Sequence, residues 1–304
     1  MHYRALGKTG LQVSEISMGC NRLGEASMAD GQWIALVRRA VELGVNLFDT
    51  AESYGWGRSE EILGQALAGR SDVFFASKVS RSRETGERSF TQGLVIASAE
   101  GSLRRLKRDR LDLLQLHSPS MDNLRRDDWV EGMRKLQEQG KVRWVGVSIN
   151  DAESGRWLIE NGLVDALQVD YSMLAPGVGR EVFPLAERHG VGILVRMPMA
   201  RGILTGKFTP GQEVGAEHRA SLNRERVPEQ VRQAEAFRAL VEGKEITLGQ
   251  LALRYAITPA GVSAAIPGAR TLEQLEQNVA ASNGIGLGAA ELVQIADIQR
   301  QLGL

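Results

Sequence analysis

Four polar residues carry the strongest chemical signal in this chain: Asp49, Tyr54, Lys78 and His117. Val45-Asn46-Leu47-Phe48 leads into Asp49, Val73-Phe74-Phe75-Ala76-Ser77 into Lys78, and Leu111 to Leu116 into His117, while Tyr54 lies in the loop after the first of these apolar runs. Parallel strands share a C-terminal end, so neighbouring strands of this kind bring all four side chains to one edge. A tyrosine hydroxyl titrates near ~10 and is by itself a poor proton donor at neutral pH. The ammonium of Lys78 beside Tyr54 favours the phenolate and lowers its pKa, while Asp49 keeps that lysine charged and oriented. His117, neutral or sharing a proton, fixes a substrate oxygen by hydrogen bonding. The set suits donation of a proton to an oxygen that becomes negative when another group, such as hydride, attacks the attached carbon. Each residue alone has a plainer reading as a turn, a half-buried aromatic, a surface lysine or a strand-end histidine; their convergence is what argues for chemistry.

Positioning them requires an alternation of strands and helices, and the sequence carries one from Glu15 to Ala280. Trp33, Ile34, Val37, Ala40 and Val41 repeat at helical spacing, and Gly44 stops that helix before the strand entering Asp49. Helical stretches follow at Ile62 to Ala68, Val95 to Leu106, Val130 to Gln137, around Trp157 and Ile159, Val182 to Arg188, Leu248 to Ala256 and Leu272 to Val279. Strand-like runs lie between them at Val142 to Val147, Ala166 to Val169, Val191 to Val195 and Val262 to Ile266. With the three runs that lead into Asp49, Lys78 and His117 and the run ending at Gly19 they make eight, which predicts an α/β fold of the (β/α)8 TIM barrel type, a single domain over residues 1–304. The segment Arg201 to Glu229 is irregular and rich in Gly, Pro and charge, and its length suits a functional loop.

Composition narrows the function classes. The chain has 304 residues, 43% hydrophobic and 24% charged, enough to bury a sizeable core. Lys plus Arg equals Asp plus Glu at 37 each, leaving no electrostatic reason to expect nucleic acid or an anionic membrane. The basic run Arg104 to Arg110 reads as the solvated C-terminal turn of a helix. One cysteine, Cys20, rules out an internal disulfide, and the N-terminal residues lack a secretory apolar stretch, so a cytoplasmic protein is expected. His2, His117, His189 and His218 lack metal-ligand spacing, so no metal is expected. A Schiff-base role for Lys78 conflicts with Asp49, which would raise its pKa. Gly146-Val147-Ser148-Ile149-Asn150 lacks the closing glycine of a nucleophile elbow.

The residues Gly44-Val45-Asn46-Leu47-Phe48-Asp49-Thr50-Ala51-Glu52-Ser53-Tyr54-Gly55, continued by Arg58-Ser59-Glu60-Glu61-Ile62-Leu63-Gly64, resemble the Asp and Tyr signature of the aldo-keto reductases. Gly101-Ser102-Leu103-Arg104-Arg105-Leu106, followed by Asp112 and His117, resembles that family's second signature. The resemblance implies a carbonyl reductase, or an alcohol oxidoreductase in reverse. Tyr54 would be its acid or base, Lys78 and Asp49 would tune it, and His117 would orient the carbonyl oxygen of a small-molecule carbonyl or alcohol substrate. It also explains why no Gly-x-Gly-x-x-Gly opens a helix here. The family lays NADP(H) across the barrel top, and NAD(H) stays admitted as well. By this resemblance Ser148 and Gln168 hold the carboxamide, and Gly202-Ile203-Leu204-Thr205-Gly206-Lys207 covers the pyrophosphate. Ile266-Pro267-Gly268-Ala269-Arg270, with Gln274 and Asn278, takes the adenine and 2′-phosphate, for which Arg270 has the right forked chemistry. Gly19, Cys20 and Asp49 complete the implied cofactor contacts. Two departures mark a bacterial branch: Ser148-Ile149 stands where many members have Ser-Asn, and Arg196-Met197-Pro198 replaces an aromatic that stacks on the nicotinamide. Substrate loops are expected at Asn21 and Arg22, at Trp56 and at Ser118 to Asp128. Some members of the family are chiefly cofactor-bound regulatory subunits, which is the alternative reading.

Overall fold

A computed structural model describes residues 1–81, 85–86, 88–211 and 226–304. The chain opens with an antiparallel hairpin, β1 (Tyr3–Ala5) and β2 (Gln12–Ser14). Eight parallel strands then form one sheet: β3 (Met18–Gly19), β4 (Leu47–Asp49), β5 (Phe74–Val79), β6 (Leu111–His117), β7 (Val142–Ile149), β8 (Ala166–Asp170), β9 (Gly192–Arg196) and β10 (Val262–Ala265). They lie side by side in chain order. The sheet curls until its first and last strands meet through parallel bridges, Ile16 to Ala265 and Gly19 to Gly268. Backbone bonds along this seam run from Ser17 N to Ala265 O at 2.9 Å and from Gly19 N to Pro267 O at 3.0 Å.

The helices between strands are α1 (Asp30–Glu42), α2 (Arg58–Ala66), α3 (Gln92–Leu106), α4 (Met121–Arg126), α5 (Trp129–Glu138), α6 (Ala152–Glu160) and α7 (Gly177–His189). After β9 come α8 (Val227–Glu235) and α9 (Leu248–Ile257), and after β10 come α10 (Leu272–Val279) and α11 (Ala289–Leu302). Local chemistry sets several boundaries. Gly44, at φ 92, makes the left-handed exit from α1 that its lack of a Cβ permits. Asp151 caps α6 by accepting from Ser154 N, and Thr247 with Gln250 forms a capping box on α9. The expected strand ends shift by a residue or two, so that Asp49, Lys78 and His117 lie within their strands instead of just past them.

Strand alternation divides the interior into layers. Leu47, Ala76, Leu113, Ala166, Leu194 and Ala264 fill it at the N-terminal end of the strands, and Leu6, Leu11 and Val13 of the hairpin segment close it below. Two residues further along four of these strands, on the same face, stand Asp49, Lys78, Gln115 and Gln168. The period of two thus converts an apolar floor into a polar second storey. Outside the strands, a larger apolar layer packs against the helices, with Trp33, Phe48, Phe75, Trp129 and Leu158 fully buried. Two elements carry no strong signal in the sequence: the hairpin, whose strands have three residues each, and α11 beyond Ala280. The irregular Arg201 to Glu229 segment begins as a tight turn, Ala200–Thr205, and ends inside α8; residues 212–225 lie outside the described residues.

Candidate active site

Lys78 sits at the centre of the second storey, its side chain fully buried. Its ammonium donates to Asp49 Oδ2 at 2.6 Å, to the Thr50 carbonyl at 2.9 Å and to the Tyr54 hydroxyl at 3.3 Å. Three N–H bonds thereby meet three acceptors, which is what a buried ammonium needs. The other Asp49 oxygen, Oδ1, accepts from Gln168 Nε2 at 2.7 Å and from Gln115 Nε2 at 3.2 Å. Burial alone would lower the Lys78 pKa, but Asp49 and then Tyr54 outweigh it and raise it.

Tyr54 opens a short turn, Tyr54–Gly57, in which Gly55, Trp56 and Gly57 all have positive φ, at 57, 54 and 96. This left-handed run turns the chain back over β4 and β5 so that the phenol reaches Lys78. The Tyr54 ring meets His117 edge to face, with centroids 5.6 Å apart. His117 Nδ1 pairs with Ser53 Oγ at 3.3 Å. Burial first, then Lys78, Arg88, Arg196 and Arg81, push His117 down to about 3, so the ring is neutral at physiological pH. For Tyr54 the expected downward shift does not prevail. Burial raises its pKa more than Lys78 lowers it.

The remaining strand ends form a rim beside this cluster. His117, Ser148 and Gln168 are in register on β6, β7 and β8. Ser148 Oγ is buried and has no hydrogen-bond partner. The Gln168 amide nitrogen is committed to Asp49 and, at 3.4 Å, to Gln115 Oε1. Arg196, two residues beyond Leu194, lies across the rim. It donates to Ile149 O at 3.3 Å and Asn150 Oδ1 at 3.2 Å and pairs with Asp170 at 3.5 Å. Asn150, one place later than in many members, thus serves the arginine. Cys20 is buried, its thiol pushed up by burial, and its backbone N–H bonds the Asp49 carbonyl at 2.8 Å.

Further round the mouth, Gly202 and Gly206 take φ of 93 and 79 in the loop containing Leu204, and Lys207 lies over the Phe208 ring, its Nζ 4.8 Å from the centroid. Met197 also has a positive φ, 57. After Ile266, Gln274 Oε1 accepts from Arg270 N at 2.9 Å, and Asn278 Nδ2 donates to Gly268 O at 3.2 Å. Both side chains therefore shape the loop entering α10. Trp56 is about half exposed, at 47%. Among the described residues no group of His, Cys, Asp and Glu is placed to hold a metal; His218 lies outside them.

Sequence reading missed what lies behind the cluster. Arg105, taken there as part of a solvated basic run, turns inward and is only 16% exposed. Its guanidinium meets the carboxylates of Glu60 and Glu52. Arg108 likewise folds in, 4.7 Å from the Phe75 ring centroid.

A parallel, curled sheet with acid, phenol, ammonium and imidazole gathered at its C-terminal edge defines a class, and the comparisons place the chain in it. The profile of the Aldo/keto reductase family matches residues 15–300, and the chain belongs to that family. It is 31% identical over 290 residues to the L-galactose dehydrogenase of Arabidopsis thaliana, covering 91% of this chain and 87% of that one. It is 29% identical over 315 residues to a probable voltage-gated potassium channel subunit beta of Oryza sativa subsp. japonica, covering 96% and 94%. The holo form of aldo-keto reductase AKR11C1 from Bacillus halodurans superposes with a TM-score of 0.85 at 30% identity, covering 98% of this chain and 96% of that one. Oxidoreductase chemistry is the general function this membership supports. No helix among the described residues is long and apolar enough to cross a membrane.

Proposed function

We propose that the chain is an NADP-dependent carbonyl reductase, a single closed (β/α)8 barrel working in the cytoplasm, with Tyr54 as proton donor. The observation that carries this reading is the Tyr54 hydroxyl, 3.3 Å from a buried, fully partnered Lys78 ammonium and in edge contact with a neutral His117. When bound, the nicotinamide supplies the hydride. Ser148 fits its carboxamide, because a buried hydroxyl without a partner is costly unless a ligand completes it. Gln168 would present its Oε1 to the same group, since its nitrogen is held by Asp49. Arg270, at the N-terminal end of α10, would take the 2′-phosphate, with the helix dipole in support.

The chain's own residues then divide the work. His117, neutral and fixed by Ser53, donates to the carbonyl oxygen and sets its position. Tyr54 gives its proton to that oxygen as charge develops on it, and Lys78 stabilises the phenolate left behind. Asp49 keeps Lys78 charged throughout, and two glutamine amides keep Asp49 from turning away. The substrate would be a small aldehyde or ketone entering beside Trp56, its identity set by the mouth loops.

The test is a comparison of wild type with Tyr54→Phe on a reactive aldehyde. Turnover should fall by about 10²–10⁴, while NADPH binding, followed by tryptophan fluorescence, stays within about twofold. Equal turnover in both would remove Tyr54 from the chemistry. The likeness to a channel subunit beta favours a second reading, a nucleotide-binding subunit with little turnover. Tight NADPH binding with no oxidation across a panel of carbonyls would select it.

A further inference from the structure

Both signature segments contain residues that the proposed chemistry does not use, and they meet behind the tyrosine. Arg105 on α3 reaches into a notch bounded by α2 and the Tyr54–Gly57 turn. Its Nε donates to Glu60 Oε2 at 2.6 Å, and its Nη2 stands 3.5 Å from Glu52 Oε1, an ion-pair contact without a hydrogen bond. Glu60, itself fully buried, accepts from Ser77 Oγ at 2.5 Å through its other oxygen. Ser77 immediately precedes Lys78, and Glu52 lies two residues before Tyr54.

Glycines make room for Arg105, at its side chain and at its backbone. A Cβ on Gly57 would lie 2.5 Å from Arg105 Cδ, one on Gly64 2.2 Å from the Arg105 carbonyl, and one on Gly101 3.0 Å from its Nη1. Gly57 ends the left-handed turn that carries Tyr54, so the arginine is the surface on which that turn rests. The first turn of α2 is bolted down on its other side as well: Ser59 Oγ pairs with Thr50 Oγ1 at 2.8 Å and donates to the Cys20 carbonyl at 2.8 Å. A forked cation fits such a notch where lysine would not, because its rigid plane serves both carboxylates while its aliphatic stem packs beneath glycine.

We infer that Arg105, braced by Glu60 and Glu52, is a positioning residue that sets the reach of the Tyr54 hydroxyl to Lys78. The inference rests on the reductase reading for its kinetic consequence but not for its geometric one. Arg105→Lys keeps the charge and loses the fork. In a crystal structure of that variant the Tyr54 hydroxyl should stand further from Lys78 Nζ than 3.3 Å. Turnover of an aldehyde should fall at least about tenfold, with NADPH affinity within about twofold, because the proposed nucleotide contacts lie on other strands. The alkaline limb of the kcat/KM profile should move to higher pH, since Tyr54 drawn away from the ammonium loses the influence that lowers its pKa. A general loss of structure would reduce the amount of active protein without moving that limb. Glu60→Gln, nearly isosteric, should shift the limb in the same direction by less, and it carries the comparison if Arg105→Lys does not fold. An unchanged separation with an unchanged limb would overturn the inference, as would parallel losses of turnover and NADPH affinity. Should the wild type oxidise no NADPH with any carbonyl, the reductase reading fails, and the Tyr54 to Lys78 separation in the variant decides the positioning role alone.

Discussion

Asp49 and Gln168 are 119 residues apart in the chain and joined by a 2.7 Å hydrogen bond across the inside of the strand ring. With Lys78 on the other oxygen at 2.6 Å, the carboxylate is held from two sides by donors. Asp49→Asn would turn an amide N–H toward one of those donors and leave the buried ammonium without its counter-charge. Breaking such a pair by removing one partner costs about 3–5 kcal/mol. A urea denaturation midpoint for Asp49→Asn close to that of wild type at pH 7 would contradict this account.

His117 links the site to acid stability. Burial, with the cationic groups nearby, holds its folded pKa at about 3, below the ordinary value of 6.5. The unfolded chain therefore takes up this proton first as pH falls. The stabilisation from the neutral ring is complete above pH 6.5 and is lost progressively toward pH 3. The stability difference between wild type and His117→Gln should accordingly shrink by up to about 1.4 kcal/mol per pH unit below the ordinary value. A difference that stays constant from neutral pH down to mildly acid conditions would show that the imidazole is not held neutral.

Ser148→Ala separates folding from binding. The buried Oγ has no partner to lose, so stability should be unchanged or higher by up to about 1 kcal/mol. NADPH affinity should nevertheless fall by about three- to tenfold, one lost hydrogen bond. Thermal melting and fluorescence titration on the same sample check both halves; a destabilised protein with normal affinity would refute the assignment.

Arg270→Ala addresses nucleotide choice. Loss of a charge-assisted contact to the 2′-phosphate should weaken NADPH by about 10- to 100-fold and NADH by less than about threefold. Equal weakening of both would place the arginine at a part of the nucleotide that they share.

The chemical cluster was legible because strands obey a period of two. Leu47 to Asp49, Ala76 to Lys78 and Leu113 to Gln115 each step along one face from floor to site. The length and strong apolar runs of the middle strands made their number and order readable as well. The hairpin was not, since Tyr3–Ala5 and Gln12–Ser14 are too short to show alternation. Arg105 was misread for a different reason: a charge run at a helix end usually faces water. Only the glycines at 57 and 101, read as space reserved for one side chain, signalled otherwise. The downward shift expected for Tyr54 failed because Coulombic attraction can be read from residue types, while desolvation depends on walls assembled from distant segments.

The seam between β3 and β10 orders events during synthesis. Glu15, buried beside that seam, bonds Gly284 N at 2.9 Å across 269 positions of chain. The β3 edge of the sheet is therefore translated well before the β10 strand that closes on it, and it must wait with unpaired backbone groups until β10 has followed. Tolerance of C-terminal truncation should accordingly end abruptly where this seam begins, since a shortened chain would keep its active-site strands and still present an open edge to its neighbours.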